Sequence, residues 1–168
     1  MIFKNLTKNF YISLLIIFVI FLLDRISKIY VINLASKNST SELFSSKFLN
    51  INLIWNEGIA FGLLSFDQSD LYNILTSIIA LIIVIVFFMI VKNNNIKRYP
   101  LLMIFGGAIG NLYDRIFFKA VPDFIDFHVG EFHWFIFNVA DIFISMGVFF
   151  VILYEIIDNN LNKDEKNL

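Results

Sequence analysis

Asp123 and Asp141 stand 18 positions apart, each at the margin of a long apolar run, in a chain of 168 residues that is 58% hydrophobic. Asp123 lies in Val121-Pro122-Asp123-Phe124-Ile125, and Asp141 in Phe137-Asn138-Val139-Ala140-Asp141. Carboxylates in so apolar a setting are costly, and their presence points to function. Two carboxyls brought close together cannot both ionise, so one pKa rises and the pair shares a proton. The ionised member can then take a proton from water while the protonated member polarises a carbonyl; reversed roles protonate a leaving amine. That is peptide-bond hydrolysis without metal or covalent nucleophile.

Composition narrows the alternatives. With 21 Phe and only 16% charged residues, the chain is far more apolar than a soluble domain of its length. A net charge of -1, with basic residues scattered, gives no footprint for nucleic acid. The absence of Cys removes thiolate catalysis and disulfides. His128 and His133 lie five apart without a His-Glu-x-x-His pattern, and two imidazoles alone do not build a zinc site, so no metal and no cofactor are expected.

The elements that position these carboxylates follow from the apolar runs. Residues 71–91, 99–118 and 137–157 have close to the ~20 residues a bilayer-spanning helix needs. The run from Phe10 continues through Asp24-Arg25-Ile26-Ser27-Lys28 without Gly or Pro, giving a fourth span over 10–34. No small-x-small cleavage site follows it, which argues against a removable leader. Lys4, Lys8, Lys92, Lys97, Arg98, Lys163 and Lys166 flank one side, against Lys37, Lys47 and Lys119 on the other, so both termini are expected on the cytoplasmic side. Alternation in Phe48 to Asn56, with Leu49, Ile51, Leu53 and Trp55 opposite Asn50, Asn52 and Asn56, has the period of a half-buried strand. Gly58 and Gly62 after it suggest a bulge or close backbone approach. The fold expected is an all-α integral membrane protein, a four transmembrane helix bundle with a small extracytoplasmic β-sheet platform. Residues 1–168 form a single domain, with a β region over 40–66, a loop or lid over 119–136, and a solvated tail from Asp158.

Counting ~1.5 Å per residue from the inner ends of spans one and three sets Asp24 and Asp114 ~21 Å along a ~30 Å core. Span four runs the other way, so Asn138 and Asp141 fall in its first turns at the same outer level, and Asp123 follows span three there. Asp24 with Lys28, Asn111 with Arg115, and Asn138 with Asp141 make polar strips at helical spacing that must face the bundle interior. Gly106, Gly107 and Gly110 offer a surface for close helix approach. Asp24 with Lys28, and Asp114 with Arg115, are equally well explained as local pairs that hold helices together. A proton-coupled transporter or channel is the alternative function, but it calls for carboxylates spread through the membrane depth.

Five blocks in order, Asp24-Arg25-Ile26-Ser27-Lys28, Asn56-Glu57-Gly58-Ile59-Ala60-Phe61-Gly62, Gly106-Gly107-Ala108-Ile109-Gly110-Asn111-Leu112-Tyr113-Asp114-Arg115, Val121-Pro122-Asp123-Phe124 and Phe137-Asn138-Val139-Ala140-Asp141, closely resemble the bacterial lipoprotein signal peptidases, or signal peptidase II family. Pro122 is a mild departure, since an aliphatic residue is commoner there. The resemblance implies a membrane aspartic endopeptidase that cuts the signal peptide from prolipoproteins on the amino side of a diacylglyceryl-modified Cys. It assigns Asp123 and Asp141 as the catalytic dyad. Asn111, Arg115 and Asn138 would bind substrate or hold the dyad, and Asp24, Lys28, Asn56, Gly58 and Ala140 would support the site. Asp114 is expected to be structural. Implied partners are prolipoprotein signal peptides and membrane lipid. A monomer is expected in the bacterial inner membrane, its site near the periplasmic face.

Overall fold

Four helices carry the apolar runs: α1 (Ile2–Asn38), α2 (Gln68–Lys92), α3 (Arg98–Phe118) and α4 (Val139–Lys166). The computed structural model describes residues 2–58, 68–93 and 95–166, so Gly62 and the segment before α2 lie outside the described residues. Each helix contains a segment long and apolar enough to cross a bilayer. Large apolar side chains such as Phe18, Leu81 and Phe149 point outward. Asp24, Lys28, Asp114 and Asn138 are almost wholly buried instead. Apolar outside and polar inside is the pattern lipid imposes, since an ionisable group there must face the bundle interior.

Helix α3 is central and packs on all three others. Its glycines permit this. A Cβ on Gly107 would sit 2.5 Å from the Ala140 carbonyl oxygen of α4, and one on Gly110 would sit 2.6 Å from the Asp24 Oδ2 of α1. These positions therefore fix how closely α1 and α4 approach α3. At one end of the bundle Val86, Ile90, Leu101 and Leu102 form an apolar core. The polar residues gather at the other end, beneath a sheet.

That sheet has strands β1 (Glu42–Ser45), β2 (Leu49–Asn56), β3 (Val121–Val129) and β4 (Phe132–Phe137), all antiparallel in the order β1-β2-β3-β4. The strand expected over 48–56 is present as β2, but its alternation is broken. Ile51 pairs with Ile125 and Ile54 with Asp123, so β2 holds one extra residue between them. This bulge turns Asn56 onto the Asp123 face of β3 while Asn50 stays opposite Asp126. The segment 119–136, expected as a loop, is instead a β-hairpin turning at Gly130-Glu131, where Gly130 has φ 60°. Helix α4 also continues to Lys166, well into the stretch expected as a solvated tail.

Candidate active site

Asp123 is carried by β3 and Asp141 by the first turn of α4, and the residue between β4 and α4, Asn138, holds both. Its Nδ2 donates to Asp123 Oδ1 at 2.6 Å and its backbone N–H donates to Asp141 Oδ2 at 3.1 Å. Its Oδ1 accepts the Asp141 N–H at 3.1 Å. Asn138 is thus the N-cap of α4 and Asp141 the third helical residue, in a reciprocal capping pattern that uses the acid of the dyad as the reaching-back partner.

Three asparagines share one design. Asn56 accepts the Gly58 N–H at 3.0 Å and donates to Asp123 Oδ2 at 2.9 Å. Asn111 accepts from Lys28 Nζ at 2.8 Å and donates to Asp141 Oδ1 at 2.8 Å. Each amide oxygen, including that of Asn138, is tied to a donor, which leaves its NH2 aimed at a carboxylate. Gly58 adopts φ 143°, a conformation that strains any side chain, and it packs against Leu75 and Tyr72.

Below the dyad lies a buried ionic core. Lys28 Nζ is 2.9 Å from Asp24 and 2.7 Å from Asp114, and Arg25 reaches Asp24 at 2.7 Å and Asp114 at 2.5 Å. Asp24 Oδ1 accepts the Ala140 N–H of α4 at 3.1 Å, which ties α1 to the turn that carries Asp141. Two cations balance two carboxylates. The expected pairing of Asp24 with Lys28 is present, but that of Asp114 with Arg115 is not. Adjacent residues on a helix point in different directions, and Asp114 faces α1. Arg115 faces the α2 side, its Cζ 5.7 Å from the Tyr72 ring centroid, and its buried Nε and Nη1 have no hydrogen-bond partner among the described residues. Arg25 was not among the expected site residues. The signal for it was a second cation within the same helical turn as Asp24 and Lys28.

Burial above all, helped by the charge of Asp141, pushes the Asp123 carboxyl up to about 6, against the hydrogen bonds from Asn56 and Asn138. A folded-state value above the ordinary 3.8 means that the folded chain holds this proton more tightly than the unfolded chain. The associated stability is full below about 3.8 and is lost as pH rises through about 6. The slope of this contribution is at most about 1.4 kcal/mol per pH unit. Thermal denaturation in detergent across pH 4 to 8 should therefore show this loss in the wild type and not in Asp123→Asn. Parallel pH profiles for the two proteins would contradict the assignment.

The dyad opens into a cavity of about 1020 Å³, whose wall is largely apolar and includes Trp55, Phe127, Trp134, Ile142 and Met146. Its polar lining includes Asn56, Glu57, Asp123 and Asp141. The arrangement offers a carboxylate pair to a substrate whose body is hydrophobic.

The family described as signal peptidase (SPase) II matches residues 16–157. The lipoprotein signal peptidase of Pelagibacter ubique (strain HTCC1062) is 54% identical over 160 residues, covering 95% of this chain and 96% of that protein. The lipoprotein signal peptidase of Aquifex aeolicus (strain VF5) is 42% identical over 151 residues, covering 88% and 87%. A solved structure titled as a bacterial membrane enzyme, determined by the in meso method at 1.9 Å resolution, superposes with a TM-score of 0.69 at 28% identity, covering 84% of this chain and 90% of that one. Match and geometry converge on one conclusion: the chain belongs to the signal peptidase II family of aspartic peptidases.

Proposed function

We propose that this protein is a membrane aspartic endopeptidase that removes the signal peptide from prolipoproteins, cutting on the amino side of a diacylglyceryl-modified Cys. The observation that carries the reading is Asn138, which hydrogen-bonds both carboxylates at once and so holds Asp123 and Asp141 as a pair at the head of an apolar cavity. With one carboxyl ionised and one protonated, the ionised member takes a proton from water as the water oxygen attacks the scissile carbonyl carbon. The protonated member gives its proton to the carbonyl oxygen, producing a gem-diol. As the C–N bond breaks, a carboxyl proton passes to the leaving nitrogen while the other, ionised carboxylate takes a proton from a gem-diol hydroxyl, which becomes the new carbonyl oxygen. The products are the carboxyl end of the signal peptide and the free amine of the modified Cys. The pair returns to its starting protonation.

Asn56, Asn111 and Asn138 aim the carboxyls, and Asp24, Lys28 and Ala140 fix the turn that bears Asp141. Arg115, with two buried donors that find no acceptor among the described residues, is suited to a substrate carbonyl, and Gly58 shapes the wall beside it. The monomer sits in the bacterial inner membrane with its termini in the cytoplasm, and the sheet and dyad lie near the periplasmic face. There water reaches the bond and lipid surrounds the acyl chains.

The test is cleavage by the purified chain of a diacylglyceryl-modified prolipoprotein and of the same precursor left unmodified, with products identified by mass. Cleavage confined to the modified precursor, at the Cys amino side and persisting in chelator, is the expected result. Equal cleavage of both precursors, or cleavage at another bond, would overturn the reading.

A further inference from the structure

We propose that Asp126, His128 and His133 form a divalent transition-metal site, of the kind zinc occupies, on the sheet face turned away from the dyad. The strand β3 alternates regularly, so Asp126 and His128 share the face opposite Asp123. On β4 a bulge decides the matter. Asp126 pairs with Ile136 but His128 pairs with His133, so β4 carries one extra residue between these pairs. Without it His133 would project from the other face; with it, His133 joins Asp126 and His128.

Candidate ligand atoms of the three residues all lie within 4.8 Å of one another. His133 Nδ1 is 3.0 Å from each Asp126 oxygen, and the two imidazoles stack with centroids 5.0 Å apart. Two polar groups here lack what burial demands. Asp126 is 2% exposed, yet no Lys or Arg pairs with it among the described residues, and its other partner, Asn50 Nδ2, is 3.4 Å away. His128 Nδ1 is buried with no hydrogen-bond partner among the described residues. A single cation answers both deficits. Two imidazoles and a carboxylate are a donor set zinc accepts, with a fourth position left to water. The chain has two His and no Cys, so both of its imidazoles are committed to this cluster. The bound ion would staple β3 to β4, the strands that lead to Asp123 and Asn138, without touching either. The proposal does not depend on the proteolytic reading.

The experiment uses the full chain, free of any affinity tag, in detergent. After incubation with zinc chloride and dialysis, metal analysis should find about one zinc per chain in the wild type and essentially none in His133→Gln. That substitution keeps a donor for Asp126 at an exposed position. Zinc should also raise Tm in the wild type and not in the variant. In the wild type alone, zinc should protect both His from diethylpyrocarbonate, a readout that survives if the variant fails to fold. No retained zinc in the wild type, equal zinc in both proteins, or unprotected imidazoles would overturn the proposal. None of the three readouts uses cleavage, so this site and the proteolytic reading can fail separately.

Discussion

Asp123→Asn and Asp141→Asn should each lower the kcat for prolipoprotein cleavage by about 10²- to 10⁴-fold, the span that positioned acid and base groups contribute. Each substitution leaves the pair unable to hold one ionised and one protonated member at once, so neither water activation nor protonation of the leaving nitrogen retains its partner. The structural cost should be much smaller. At position 123 an amide still accepts from one of Asn138 and Asn56, and one donor loses its acceptor. This costs about 1–3 kcal/mol. At position 141 the substitution weakens the capping contact to Asn138 by a similar amount. A fall in kcat far exceeding any fall in the folded fraction, measured by circular dichroism on the same preparations, is the diagnostic. Near-wild-type kcat in either variant removes that residue from the reaction.

Lys28→Met should destabilise the chain by about 3–5 kcal/mol, because it leaves Asp24 and Asp114 with one cation between them in a buried site. It should also slow cleavage, since Lys28 holds the Asn111 oxygen whose NH2 is aimed at Asp141. Asp24→Asn unbalances the same core in the opposite sense. In the double variant Lys28→Met/Asp24→Asn the remaining Arg25 and Asp114 are again matched, so its loss should be clearly less than the sum of the two single losses. Thermal denaturation in detergent, read as a double-mutant cycle, checks this. Additive losses would show that the four groups do not act as one core.

The sequence singled out Asp123 and Asp141, which Asn138 links in the structure, because a carboxylate at the edge of an apolar run has few structural reasons to exist, and depth counting sets several such groups at one level. Spans were legible from length and composition, and β2 from its alternation. What sequence could not reveal was where local regularity breaks. Asn50, Asn52 and Asn56 share one face of an ideal strand, and only the β2 bulge separates Asn56, which serves Asp123, from Asn50, which faces Asp126. The β4 bulge does the same for His133, so two His that are five apart in sequence become cross-strand partners. The β3–β4 hairpin itself had a readable signal, Gly130-Glu131 between two runs rich in Val, Ile and aromatic residues, which lost out to the view of the segment as a connection between spans. Ion pairing failed for another reason. Neighbours in sequence suggested Asp114 with Arg115, whereas the partner that matters, Arg25, is 89 positions away and meets Asp114 because Gly110 lets α1 approach α3.

The central claim is that Asp123 and Asp141 act on one water between them. Its most direct measurement is an experimental structure of the chain bound to a peptide whose scissile bond is replaced by a secondary alcohol, mimicking the gem-diol. The account predicts that the alcohol oxygen lies within about 3 Å of an oxygen of Asp123 and of one of Asp141. An alcohol held by only one carboxyl, or carboxyls too far apart to share it, would contradict the account.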